Sequence, residues 1–175
     1  YTSLSLKKAM LSRGISCTFR ATGQCGILVA GDGVAVDCVV SDFISGAVES
    51  LAPDNNQDHW DIIEGQGSLS HPAFAGVSLG LLHGAQPDAL VICHAFGREH
   101  MRGLPHYAFP SLERTIELNE TAAKLTNPDA KVVGVSVNSS ALNEQEAMQR
   151  CAELSERLGL PVVDPFRHDI NVLLD

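Results

Sequence analysis

The stretch DIIEGQGSL, residues 61–69, holds the densest candidate chemistry in this sequence of 175 residues. An apolar run ends on Glu64 and breaks at once into Gly65, Gln66, Gly67 and Ser68. A carboxylate, an amide and a hydroxyl are thereby delivered into one small space. The glycines let backbone come close to whatever is held there.

An acid at the end of an apolar strand is how phosphate-loop proteins set a carboxylate near Mg²⁺. The same acid could cap the following helix or pair with a neighbour. His71, in SHPAFAG, is expected at a helix start with Pro72 behind it, where proline is tolerated. It could serve as a general base or bond to backbone. Asp37 and Asp42 follow an apolar run and suit a metal or a helix cap, with the cap favoured for Asp42. His94, His100 and His106 are spaced by six, which fits neither a helix face nor a zinc pattern, so no metal site is predicted. Arg98 and Arg102, among those histidines, could clamp carboxylates bidentately or stand in a solvated loop.

The elements that must position these groups alternate. A helix is expected over Thr2–Arg13, closed by Gly14. Strand-like runs follow within 15–24, which reads as strand then turn, and at 33–40, 59–64, 88–96, 131–140 and 161–166. Helices are expected at 41–51, opened by Ser41 or Asp42, at 71–87, at 111–125 from Ser111, and at 144–158. Asn143 and Glu146 would form a capping box there, and Gly159 would end that helix. The segment 97–110 reads as irregular. Strands apolar throughout are buried on both faces, the habit of a parallel sheet covered by helices. The predicted fold is therefore α/β, three-layered and mostly parallel, in one domain over 1–175. In such sheets ligands bind beyond the carboxyl ends of the strands. Those ends carry Thr22-Gly23-Gln24, Glu64 with its glycines, His94, Asn138-Ser139-Ser140 and Asp164-Pro165.

A net charge of −9 disfavours unspecific binding to nucleic acid or anionic membranes. Five cysteines without CxxC spacing, four of them in apolar patterns, predict core thiols, a reducing compartment and no disulfide framework. The sequence shows neither a membrane-length apolar run nor a signal peptide, so a cytoplasmic location is expected. No GxSxG or GxGxxG is present, and GQCGILVAGDG (23–33) lacks a phosphate-loop lysine.

The strings TGQCGILVAGDGVAVDCVVSDFISGAVE, IIEGQGSLSHPAFAGVSLGLLHGAQPDALVICH, VNSSAL and GLPVVDPFR resemble, from Tyr1 to the end of the chain, the C-terminal domain of the D-glutamate N-acetyltransferase family. That family was long described only as a domain of unknown function. The resemblance implies a P-loop fold similar to dethiobiotin synthetase. Its phosphate loop would lie immediately upstream of Tyr1, preceded by a Rossmann-like domain, so this chain would be a piece of something longer with a companion N-terminal part. It further implies acetyl transfer from acetyl-CoA to the amine of D-glutamate, with the P-loop fold holding the pyrophosphate of the coenzyme.

On that basis Glu64 or His71 is the base, and Gln66 and Ser68 orient the thioester or the amine. Arg98 and Arg102 meet the substrate carboxylates, with Gln24 and His94 on the same rim. Thr2 and Asp42 lie near the phosphates, while Asn138, Asp164 and Pro165 flank the adenine. Two other functions fit the same residues. One is an ATP- and Mg²⁺-dependent ligase or kinase with Glu64 and Asp42 on the metal, and the other is a non-catalytic nucleotide-binding module. A homo-oligomer is expected, as small acidic α/β enzymes are often symmetric assemblies.

Overall fold

A computed structural model describes residues 1–175. Helix α1 (Thr2–Ser12) leads into β1 (Cys17–Arg20) through Gly14, which takes the left-handed turn at φ 75° that closes the helix. Then come α2 (Gln24–Ala30), two short 3₁₀ turns (Val36–Cys38 and Ser41–Phe43), α3 (Ile44–Leu51) and β2 (Trp60–Ile63). The rest of the chain forms α4 (Ala75–Ala85), β3 (Ala89–Ala95), β4 (His100–Met101), β5 (Leu104–Ala108), α5 (Leu112–Ala123), β6 (Lys131–Asn138), α6 (Glu144–Leu158) and β7 (Val162–Val163). A last 3₁₀ turn spans Ile170–Leu173.

The architecture is α/β with parallel strands. β1 pairs with β2 from Cys17↔Trp60 to Arg20↔Ile63, and β6 lies between β3 and β7 in a second parallel sheet. β4 and β5 form a separate antiparallel hairpin. The largest core cluster joins Ile92 of β3 and Val132, Val135 and Val137 of β6 to Leu112 of α5 and to Cys151 and Leu154 of α6. The near-continuous apolar runs of β3 and β6 thus meet helices, as strands in a covered parallel sheet do.

Local chemistry sets several boundaries as expected. Ser111 accepts the Arg114 N–H at the head of α5. At α6, Asn143 and Glu146 form a complete capping box, and Gly159 ends the helix in a left-handed conformation.

Other expectations are corrected. The run 33–40 is not a strand. Val34 and Val36 donate to the carbonyls of Ala21 and Thr22, then the chain turns into a 3₁₀ helix that buries Val36 completely. The residues after β1 are not merely a turn, because Gln24 opens α2. The segment 97–110 holds a hairpin. Neither Ser41 nor Asp42 caps α3, whose N-terminal residue Phe43 makes no side-chain cap. Only two cysteines, Cys17 and Cys151, are buried, while Cys25, Cys38 and Cys93 are exposed; all five are free thiols. No helix is long and apolar enough to cross a membrane.

α1 runs against the strands. Its Lys7 carbonyl lies by Cys17 at the start of β1, whereas Thr2 bonds Ser136 near the end of β6. The opening of α1 therefore lies on the side where the parallel strands end.

Candidate functional site

β2 carries its ladder one residue further, with the Glu64 N–H donating to the Arg20 carbonyl, so the acid leaves the strand beside the end of β1. There its Oε2 accepts the N–H groups of Thr22 (3.0 Å) and Gly23 (3.1 Å). The buried Thr22 returns the contact, its hydroxyl donating to the Glu64 carbonyl at 2.6 Å, and the Gln66 amide donates to that hydroxyl at 3.1 Å. Ser78 of α4 donates to the Gln66 carbonyl at 2.7 Å and fixes the loop from behind.

The glycines of TGQCG are explained by this lock. A Cβ at Gly26 would overlap the Glu64 carboxylate, 2.7 Å from its Cδ, and one at Gly23 would overlap the Gln66 amide. Gly67, at φ 51°, turns the chain where a Cβ would strike Phe74 and Ser78.

The two motifs noted separately in the sequence, TGQCG and EGQGS, are therefore two halves of one interlock. Glu64 Oε1 takes no hydrogen bond from the chain, and Glu64 lines an open cavity of about 370 Å³ with Gln24, Cys25, Asp37, Gln66 and the backbone of Gly23 and Gly65. Two carboxylates and two amides around one opening suit a cationic, hydrogen-bonding group. Asp37 enters this site, whereas Asp42 is exposed outside the lining. Cys25 also lines it. Its position follows from α2, a short helix with Leu28 and Val29 turned outward, which no core periodicity reveals.

His71 lies in the turn before α4, not at the helix start. It is 8% exposed, its Nδ1 accepts the Ala73 N–H at 3.1 Å, and its ring stacks on Phe74 at 4.3 Å. With Nδ1 an acceptor, the proton sits on Nε2, 3.4 Å from the Arg102 carbonyl. Both nitrogens are engaged with backbone. His71 thereby fastens the β4–β5 hairpin, whose buried Met101 anchors it from below. Arg98 and Arg102 stand exposed on this hairpin segment, and neither is in an ion pair. Ser68 shapes the intervening turn, its hydroxyl accepting the Ser70 N–H and its carbonyl the His71 N–H. His94 is half-buried edge-on to Phe96, and burial holds its imidazole below the usual range, so it is neutral at pH 7.

Near the mouth of α1, the Thr2 hydroxyl contacts that of Ser136 at 2.8 Å. Asp164 is almost fully buried. Its Oδ2 accepts the Ser139 N–H and hydroxyl, and its Oδ1 accepts the Phe166 N–H at 2.9 Å. Arg167 ties the same region down through the carbonyls of Ser139 and Leu142 and through Glu144. Asp164 thus shapes the Pro165-Phe166 loop from within, leaving Phe166 79% exposed with its ring 5.7 Å from that of Tyr1. Asn138 is exposed, its side-chain oxygen accepting the Ser140 N–H at 3.0 Å.

Burial alone would raise the Asp164 carboxyl, but hydrogen bonds from Ser139 and Phe166, with Arg167 nearby, hold it below its usual range. A group depressed in the folded state stabilises the fold above its unfolded value, about pH 4, and loses that contribution as pH falls through its folded value. Asp164→Asn should therefore cost about 1–3 kcal/mol near pH 7 and flatten the acid limb of the stability curve. Urea unfolding between pH 2 and 7 measures both effects.

Set beside known proteins, residues 1–174 match the family model described as "Domain of unknown function (DUF1611_C) P-loop domain". The chain belongs to the DUF1611 family. A relative from Pseudoalteromonas sp., named D-glutamate N-acetyltransferase, is 66% identical over 174 residues, covering 99% of this chain and 52% of the relative. A protein of the same name from Tritonibacter scottomollicae is 53% identical over 175 residues, covering all of this chain and 53% of its own length. The solved structure of a DUF1611 family protein from Anabaena variabilis superposes with a TM-score of 0.93 at 41% identity, covering 99% of this chain and 51% of that one. The chain spans about half the length of the curated relatives it matches. The P-loop-type fold expected from the sequence is thereby shown.

Proposed function

We propose that this chain is one P-loop-type α/β domain of a longer acyltransferase that moves an acetyl group from acetyl-CoA to the amine of D-glutamate. The names of its relatives support the reaction. The observation that carries the site is the split state of Glu64, a residue that lines the cavity: Oε2 is pinned by two backbone N–H groups, while Oε1 takes no hydrogen bond from the chain.

An amine attacks a thioester only when unprotonated, so a proton acceptor within hydrogen-bond reach is required. Glu64 takes that proton, directly or through one water. The amine nitrogen then bonds to the thioester carbon, the carbon–sulfur bond breaks, and the further proton lost from nitrogen as the amide forms goes to the departing sulfur, leaving the free thiol of the coenzyme. Asp37 and the amides of Gln24 and Gln66 hold the incoming ammonium group. His71, with both nitrogens engaged, acts as a positioning residue for the hairpin, while Arg98 and Arg102 take the substrate carboxylates. Ser68 shapes the turn between the two. The coenzyme lies along the opening of α1, past Thr2 and Asp42, with its adenine against Asn138 and the Asp164-Pro165 loop, and His94 lies on the same rim. The longer protein is cytoplasmic and a symmetric oligomer in this reading.

Arg102→Ala and Arg98→Ala are expected to raise the KM for D-glutamate by roughly 10–100-fold each with kcat little changed, the signature of lost ground-state contact to a carboxylate. Steady-state kinetics on the longer protein reads the split.

The reaction itself is tested by free-thiol release from acetyl-CoA. Release should appear only when D-glutamate is added and should persist in EDTA. Carboxylates flanking a cavity also suit Mg²⁺ in a nucleotide-cleaving ligase or kinase. Release of ADP from ATP, dependent on Mg²⁺, would replace the acetyltransferase with that enzyme. Ligand binding without turnover would instead leave a nucleotide-binding module.

A further inference from the structure

A second cavity lies along β1, with no residue of β2 in its wall and none shared with the Glu64 opening. Its volume is about 370 Å³, within the range of small-molecule sites. α1 supplies Leu4 and Lys7, β1 supplies Arg20 and α2 supplies Val29, with Asp32 and Leu51 joining them.

The chain holds 21 acidic residues against 12 lysines and arginines, so a cation here rarely lacks a partner for want of carboxylates. Yet Lys7, half-buried in this wall, is in no ion pair. Asp61 holds Arg20 through Nε alone, at 2.6 Å, while Asn55 takes the other oxygen of that acid at 2.9 Å. The two terminal nitrogens of the guanidinium are left for another carboxylate, on a side chain only 20% exposed. Asp32 is fixed by the Gly33 N–H, which donates to its Oδ1 at 2.8 Å, and its Oδ2 takes no hydrogen bond from the chain. An extended peptide cannot run along β1 here. The Val34 N–H already occupies the Ala21 carbonyl at 3.0 Å, and Gly33 packs so closely that a Cβ would overlap Ala21. The cavity therefore suits a compact ligand.

We propose that this cavity binds a free dicarboxylic amino acid of the size of glutamate or aspartate. Lys7 and Arg20 each take one carboxylate, and Asp32 takes the ammonium. Leu4, Val29 and Leu51 pack against the methylenes. None of these residues belongs to the acetyl-transfer site, so the proposal stands apart from that reading. The two cavities are joined by α2, whose seven residues span about 10 Å. Gln24 and Cys25 line the Glu64 opening at one end of the helix, and Val29 lines the second cavity near the other. An occupant here bears on the helix that flanks Glu64.

The test is equilibrium dialysis of labelled D- and L-glutamate against the longer protein, with coenzyme A present and with glutarate or inorganic phosphate as competitor. Lys7→Gln and Asp32→Asn should each weaken one class of binding roughly 10–100-fold, the usual worth of a charged hydrogen bond. Lys7→Arg, which keeps the charge, should restore it and rule out a folding defect. A second class of binding, specific for the D form and untouched by these variants, belongs to the Glu64 opening. If only the Lys7-dependent class is found, the proposal holds and the acetyl-transfer reading loses its substrate. Binding unchanged in both variants would overturn the proposal and leave that reading standing. Glutarate, which lacks the amine, or phosphate competing as well as glutamate would also overturn it, since Asp32 would then have no part.

Discussion

Glu64→Gln in the longer protein is expected to lower kcat for acetyl transfer by roughly 10²–10³-fold, the usual worth of a general base, with little change in KM for acetyl-CoA. The amide keeps an oxygen where Oε2 accepts from Thr22 and Gly23, so the interlock with β1 survives. What is lost is the proton acceptor at the cavity. Stability should fall by only about 1 kcal/mol, because charge-assisted hydrogen bonds become neutral ones. Rapid-quench kinetics separates the outcomes. A slowed chemical step with normal folding supports the base, whereas unchanged turnover would move the proton transfer elsewhere.

Gly26→Ala is expected to be nearly as damaging, against the prediction of helix propensity. Within α2, alanine should be favoured over glycine by about 1 kcal/mol. Here the added Cβ occupies the place of the Glu64 carboxylate, which must swing away from the N–H groups of Thr22 and Gly23. Leaving those donors unpaired costs about 2–4 kcal/mol, enough to outweigh the gain in propensity and to lower Tm by several degrees. Activity should fall about as far as in Glu64→Gln, since the acid is displaced. Gly46→Ala in α3 is the control: no atom lies within 4 Å of its Cβ position, so Tm should hold or rise. Equal effects of the two substitutions on Tm would contradict the interlock.

What could be read from the sequence was what local rules govern. The Asn143–Glu146 box, the Ser111 cap and the Gly159 stop act within a few residues, and all three appear as expected. The apolar runs that became β2, β3, β6 and β7 were legible because interior strands exclude polar side chains. Glu64 stood out because it ends such a run.

Tertiary contacts decided the rest. α2 turns Leu28 and Val29 outward, so its pattern carries no helical signal towards the core. The valines of 33–40 look like a strand, yet after two bonds to the end of β1 the chain turns to bury Val36. Asp42 was a reasonable cap by type and stands idle, while Asp37, a few residues earlier, lines the cavity. His71 had the right chemistry for a base, but its partners are the Ala73 N–H and the Arg102 carbonyl. The steric reason for Gly23 and Gly26 cannot be read from either motif alone, because the atoms they make room for lie some forty residues away.

The most direct measurement is a crystal structure of the longer protein with coenzyme A and D-glutamate bound. The expected result places the substrate amine within about 3.2 Å of Glu64 Oε1, or one water away from it, with its carboxylates towards the β4–β5 hairpin. An amine held on the far side of α2, with no water path to Glu64, would contradict the role assigned to that acid.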